Sequence, residues 1–147
     1  MTMEQSNRLR KPYIKQYALG GNATITLQSG ISGIHFTYKI VRNKNMNSLY
    51  KVYLLNGNNN YDDYRYVACY YSDTEQLHVV SPYKDRLHCS WPKSMRAIKL
   101  FFDTIDNTQD NLLVYHEGRC AVCGKKLTTP ESLKIGMGQK CAEHKGV

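Results

Sequence analysis

The chain has 147 residues, 41% of them hydrophobic, which is enough to bury a core and excludes general disorder. Twenty lysines and arginines against twelve aspartates and glutamates give a formal net charge of +8. No apolar run approaches the roughly 18 residues of a membrane span, and the N-terminus lacks the apolar stretch of a secretory signal. We therefore expect a cytoplasmic protein that does not enter a membrane.

The basic residues are concentrated at the two ends of the chain. Residues 1–20 carry four basic and one acidic side chain, and residues 116–147 carry six basic and three acidic ones, so each end has a net charge of +3. The 95 residues between them account for the remaining +2. This distribution predicts a basic N-terminal arm (1–20), a central domain (21–115) and a separate C-terminal module (116–147).

The central domain shows two kinds of hydrophobic periodicity. Alternation of apolar and polar residues, with Gly-, Ser- and Asn-rich turns between, predicts strands at 22–28, 34–42, 49–55, 64–71 and 77–80. Helical spacing then predicts a helix over 90–106 with one apolar stripe of Trp91, Met95, Ile98, Phe102 and Ile105. We expect an α+β fold, in which a small antiparallel β-sheet is covered by one α-helix and carries a zinc-ribbon-like or knuckle-like module at the C-terminus.

The C-terminal segment contains two short pairs of metal-binding residue types. Cys120 and Cys123 form C-x2-C followed by a glycine, and Cys141 and His144 form C-x2-H. Zinc prefers four nitrogen or sulfur ligands in a tetrahedron, and two short pairs supply them readily. The spacing predicts one structural Zn2+, with no open position for water, in a segment too short to build its own core.

Two alternatives accompany this assignment. The same cysteines could form disulfides, but five cysteines is an odd number and nothing in the sequence indicates secretion. The fourth ligand is open between His144 and His116, which lies four residues before Cys120. The C-x2-H spacing favours His144.

The C-terminal segment also resembles a short zinc-binding module of unknown function found in bacteriophage and mobile-element proteins. The shared pattern is HEGRCxxCGxxLTxPES…GxGxxC, which starts here at His116 and ends at Cys141. Members of that family often have the third cysteine without a histidine three residues later, which favours His116 as the fourth ligand. The resemblance implies a phage-type protein, located in the host cytoplasm, and supplies no biochemical activity.

A basic and aromatic surface predicts the partner. Lysines and arginines interleaved with tyrosine rings can bind single-stranded nucleic acid, with phosphates on the cations and bases on the rings. The candidate binding residues are Arg8, Arg10, Lys11, Lys39, Lys51, Tyr53, Arg65, Lys125 and Lys126. The strand predicted at 64–71 is expected to place Arg65 on one face and Tyr64, Tyr66 and Tyr70 on the other.

The alternative partner is a protein. Tyrosine- and asparagine-rich loops, such as residues 56–66, suit a factor that binds and modulates or inhibits a host protein, including a host defence protein. An enzyme is not expected, because no H-E-x-x-H, Gly-rich phosphate loop or G-x-S-x-G occurs and a zinc with four protein ligands offers no Lewis acid.

Overall fold

The computed structural model describes residues 7–57 and 62–144, except for the side chain of His144. In chain order the elements are β1 (Arg8–Leu9), α1 (Lys11–Ala18), β2 (Asn22–Ser29), β3 (His35–Arg42), β4 (Leu49–Leu55), β5 (Tyr64–Tyr71), β6 (Gln76–Val79), α2 (Lys93–Asp103), β7 (Leu112–His116), α3 (Pro130–Ile135) and α4 (Gln139–His144). The described strands form one antiparallel sheet of seven, in the order β1-β7-β2-β3-β4-β5-β6. Within the described ranges no helix has the length and apolarity that crossing a bilayer requires.

The helix predicted from the apolar stripe covers one face of this sheet. Met95 and Ile98 of α2 are fully buried. The Tyr38 hydroxyl, from β3, donates a hydrogen bond to the Ser94 carbonyl oxygen at 2.7 Å, and the Tyr70 ring, from β5, stacks on Phe102 with centroids 4.4 Å apart. The stripe is therefore the contact surface between α2 and the sheet, as its periodicity indicated.

A second helix, α1, contributes to the same core. Its Ile14 and Tyr17 side chains are buried, and the carbonyl of Leu19, just after its end, accepts a hydrogen bond from the hydroxyl of the buried Tyr50. The prediction of a single covering helix is thus not confirmed. An eight-residue helix is marginal by itself, and α1 is stabilised by the apolar surface that Ile14 and Tyr17 bury.

Strand β7 was not predicted, because residues 107–115 show neither of the two hydrophobic periodicities of the central domain. It lies between β1 and β2, where Val114 pairs with Leu9 on one side and with Leu27 on the other. The antiparallel sheet of the prediction is confirmed, but it is larger than the five strands expected. The C-terminal module follows directly from this inner strand at His116.

A β-bulge in β5 sets which side chains share a face. Val52 pairs with Ala68 but Tyr53 pairs with Tyr66, so Val67 is the extra residue. Because of it, Tyr70 points into the core while Tyr64 and Tyr66 lie on the face opposite α2. Grouping Tyr70 with these two tyrosines was therefore wrong, since strict alternation cannot anticipate an inserted residue.

Candidate metal centre and open sheet face

Three cysteine side chains meet in the C-terminal module. The Sγ atoms of Cys120, Cys123 and Cys141 all lie within 4.8 Å of one another. A tetrahedral zinc site with metal–sulfur bonds of about 2.3 Å has sulfur–sulfur edges of about 3.8 Å, so this spacing suits three corners of one site. All five cysteines of the chain lie in the described ranges as free thiols, so no disulfide joins these three. The group can hold a metal ion.

A tight turn positions the first two thiols. The backbone N–H of Gly124 donates to the Cys120 carbonyl at 3.0 Å, and the Cys120 N–H donates to the Lys125 carbonyl at 2.8 Å. Gly124 has φ +78°, a left-handed conformation that glycine adopts without steric cost. The turn thereby holds Cys120 and Cys123 on the same side of the chain, with Cys120 buried and Cys123 exposed.

Helix α4 delivers the third thiol. Cys141 lies in this helix of six residues, which is anchored by the buried Ala142. His144 closes α4 three residues after Cys141, a spacing that places two side chains on the same face of a helix. The His144 side chain lies outside the described residues.

The surroundings shift the pKa values of two of the three thiols in opposite directions. Burial favours the protonated form of Cys120, but N–H groups of Cys123, Gly138 and Val122 outweigh it and lower the pKa of this thiol to about 7. Burial, followed by the neighbouring Cys120 and Cys123, raises the pKa of Cys141 to about 11. Three thiolates repel one another without a cation, and a bound metal ion replaces that repulsion by attraction.

His116 is engaged elsewhere and does not join the three cysteines. Its Nδ1 accepts a hydrogen bond from the Gly118 N–H at 2.9 Å, so the ring proton is on Nε2, which donates to the Leu133 carbonyl at 2.6 Å. Burial lowers the pKa of this imidazole, although the Leu133 carbonyl opposes the shift. His116 thus links the end of β7 to α3 in its neutral form.

The module is docked on the sheet through close backbone contacts. The Asn22 N–H, at the start of β2, donates to the Ala121 carbonyl at 2.6 Å, and the Ala121 N–H donates to the Gly136 carbonyl at 3.0 Å. Gly136 ends α3 with φ +74°, and a Cβ there would overlap the ring of Tyr17. The sequence did not predict this contact, because it joins the end of α3 to Tyr17 of α1, which are far apart in the chain.

The predicted basic and aromatic residues are only partly assembled. We define the open face as Lys39, Lys51, Tyr53, Tyr64 and Tyr66, all on the side of the sheet opposite α2. On it the Lys39 ammonium lies 4.3 Å from the centre of the Tyr64 ring, and the rings of Tyr53 and Tyr66 are 5.7 Å apart. Tyr64 was not among the predicted binding residues, because strict alternation placed it on the other face.

The other predicted binding residues lie elsewhere. Arg65 pairs with Leu54 on the helix side of the sheet, and its guanidinium donates to the Tyr83 hydroxyl at 2.8 Å. Lys125 and Lys126 are exposed on the C-terminal module, close to Cys123 in the chain. Arg8, Arg10 and Lys11 lie together where β1 meets α1.

Comparison with known proteins places one part of the chain. Residues 113–146 match the model of a family of unknown function, DUF6011. The matched stretch begins in β7 and contains the three clustered cysteines, His116 and α3 and α4. No curated protein and no solved structure matches the chain.

Proposed function

We propose that this chain is a non-catalytic zinc protein that binds single-stranded nucleic acid on its open face. The observation that carries the proposal is the alternation of cations and rings there, with Lys39 over Tyr64 and Tyr53 beside Tyr66. We assign the C-terminal module a structural role, since it contacts β7, α1 and the start of β2.

The donor set supports zinc as the metal. Thiolates are soft ligands, and a site with three of them selects zinc over magnesium or calcium, which prefer oxygen. We propose His144 as the fourth ligand, because both ring nitrogens of His116 are hydrogen-bonded to the backbone. Four protein ligands leave no position for a metal-bound water, so the ion stabilises the fold rather than activating a substrate.

Metal analysis of purified protein tests this assignment. We expect about one zinc per chain in the wild type, and loss of it in Cys120→Ser and in His144→Ala. The exposed Cys89 offers a matched control, because Cys89→Ser removes a thiol remote from the cluster in sequence and should retain the metal. A His144→Ala protein with full zinc and a His116→Asn protein without it would reverse the choice of fourth ligand.

The open face has the chemistry that an unpaired strand requires. Tyr66 is 40% exposed and Lys51 is exposed, so a base and a phosphate can both reach this surface. The Tyr66 phenol is neutral near pH 7 and does not repel phosphate, and burial, with Cys69 adding to it, raises its pKa further, to about 12. Stacking on such a ring contributes about 1–3 kcal/mol per base, and the net charge of +8 favours association.

Titration of a labelled oligothymidylate, followed by fluorescence anisotropy, tests the open face. Lys51→Gln should weaken binding and reduce the slope of log affinity against log salt by about 1, since one phosphate contact is lost. Lys84→Gln removes the same charge from an exposed turn after β6 and should leave both unchanged. Equal effects of the two variants would mean that only net charge attracts the oligonucleotide, and the proposal would fail.

A second candidate, a protein-interaction factor, is favoured by a different surface. A cavity of about 360 Å3 between β3 and α2 is lined by Ile34 and Leu100, which are 42% and 38% exposed, with Lys93 and Arg96 beside them. Exposed apolar side chains next to cations suit an acidic, amphipathic segment of a partner protein. In the loop 56–66, residues 58–61 lie outside the described residues. Indifference to DNA and RNA at every salt concentration would favour this candidate.

A further inference from the structure

A second basic feature lies at the edge of the sheet, away from the open face. A cavity of about 330 Å3 occurs where β1 meets α1, and its lining includes Arg8, Arg10 and Lys11. The segment that leads into β7 contributes Thr108 and Asp110 to the same cavity. Its volume is at the lower end of the roughly 300–1,000 Å3 of small-molecule sites, which suits a small charged group.

The electrostatics of this cavity favour an anion. Helix α1 begins here without a side-chain cap and without an acidic residue in its first turn, so the positive end of its dipole adds to the three cations. Among the described residues that line the cavity, Asp110 is the only acidic one. The Asp110 side chain is 93% exposed and pairs with the Lys11 ammonium at 3.0 Å. This solvent-exposed pair offsets only one of the three positive charges of the cavity.

An unpaired buried hydroxyl is the second, independent sign of a ligand. Thr108 is 3% exposed, and its Oγ1 has no hydrogen-bond partner among the described residues. The Arg8 Nε has none either. Buried polar groups are nearly always paired, because an unpaired one loses its hydration without compensation. Both residues line the cavity, but the two atoms have almost no accessible surface, so each side chain must rotate toward the cavity before a ligand with several acceptor oxygens can pair with it.

We infer that this cavity binds a phosphate group. Arginine matches phosphate oxygens with its planar fork of donors, and a tetrahedral dianion can accept hydrogen bonds from two guanidiniums and a hydroxyl at once. The phosphate could belong to a free mononucleotide or to the backbone of a nucleic acid. This site is separate from the open face, because it lies at β1 and α1 and does not involve the tyrosine rings of the open face.

Binding of inorganic phosphate to the full chain tests the inference directly. Calorimetric titration at constant ionic strength, with chloride replacing phosphate in the blank, should detect one site per chain. Arg10→Gln should raise the dissociation constant about tenfold, as expected for one charge-assisted hydrogen bond. Lys44→Gln removes a cation from the exposed loop after β3 and should leave it unchanged. Absence of saturable phosphate binding in the wild type overturns the site.

The Thr108 hydroxyl gives the sharpest test. If it binds phosphate, a variant without it should bind phosphate more weakly; if it does not, the affinity should be unchanged. Thr108→Val removes the unpaired hydroxyl at nearly constant volume, so the melting temperature without phosphate should rise while phosphate binding weakens several-fold. Thr108→Ser retains the hydroxyl and should retain binding. A Thr108→Val protein with unchanged phosphate affinity would refute the role of the hydroxyl, even where Arg10→Gln behaves as expected.

The source of the phosphate is separated by competition. A 5′-mononucleotide that binds more tightly than inorganic phosphate, and much more tightly than its nucleoside, would identify a nucleotide ligand. Displacement of phosphate by the oligothymidylate, weakened by Arg10→Gln as well as by Lys51→Gln, would identify the nucleic-acid backbone. Phosphate binding that survives Lys51→Gln while oligonucleotide binding is absent would retain this site and refute the open face.

Discussion

The sheet and the C-terminal module differ in the size of the side chains that they bury and in the length of their helices. The core under α2 contains large, fully buried side chains from many strands, such as Tyr38, Ile40 and Val52. The module buries small or flexible residues, including Ala121 and Met137, and both of its helices have only six residues. Isolated helices of that length are unstable in water, so the module cannot rely on its own packing. We therefore expect one chain to combine a hydrophobic core with a segment whose stability depends on metal ligation.

Metal removal should separate the two regions most strongly. Apparent binding free energies of structural zinc are about 10–16 kcal/mol in small zinc modules, far more than any single contact made here. On chelation we expect the amides of residues 118–144 to exchange hydrogen at nearly unfolded rates, while those of β2–β5 stay protected. Hydrogen-exchange mass spectrometry measures this. Loss of protection throughout the chain would show that the sheet, too, depends on the metal.

Gly136 allows the docking between the regions to be weakened without touching a ligand. Gly136→Ala forces a Cβ toward the Tyr17 ring at φ +74°, so strain and overlap together should destabilise the module by about 2–4 kcal/mol. Thermal unfolding monitored by near-ultraviolet circular dichroism reports the loss.

Gly138 provides the matched control for that substitution. A Cβ there meets nothing within 4 Å and its φ is not in the left-handed region. Gly138→Ala should therefore change stability by less than about 1 kcal/mol. Equal losses in the two alanine variants would argue that the Tyr17 contact has no part in docking.

The two regions also differ in what their sequence could predict. Alternation predicted β2 and β3, because the signal is local to each strand, and the apolar side chains Ile25, Tyr38 and Ile40 are buried there. Strand β7 carries no such signal, since it is defined by pairing with β1 and β2, distant segments of the chain. The single inserted Val67 also gives no local signal, and it places Arg65 on the same face as Tyr70 and puts Tyr64 and Tyr66 on the opposite face.

The cysteine cluster was easier to predict from the sequence than β7, because ligands in short pairs depend on few distant contacts. The C-x2-C turn and the first turn of α4 place Cys120, Cys123 and Cys141 close together, as their spacing predicts. Sequence spacing left His116 and His144 as alternatives, since both lie close to a cysteine in the chain. The contact of His116 with Leu133 depends on how α3 folds back onto β7, which spacing alone does not encode.

The smallest expected effect concerns pH, and it acts at the junction itself. Burial keeps the pKa of His116 below its value in the unfolded chain, near 6.5, so the unfolded state takes up the proton first as pH falls. The stabilisation by neutral His116 is therefore complete above that value and is lost on acidification, with a slope of at most about 1.4 kcal/mol per pH unit for one proton. Denaturant unfolding between about pH 7.5 and 5.5 measures this slope.

The variant His116→Asn isolates that proton from every other titrating group. The Asn carbonyl can still accept the Gly118 N–H, but it cannot titrate and it loses the bond to Leu133. We expect the variant to be less stable at pH 7.5, to depend less steeply on pH, and to retain its zinc. Parallel curves for variant and wild type would assign the acid sensitivity to protonation of the cysteine ligands, and the link between sheet and module would then rest on the metal rather than on the imidazole.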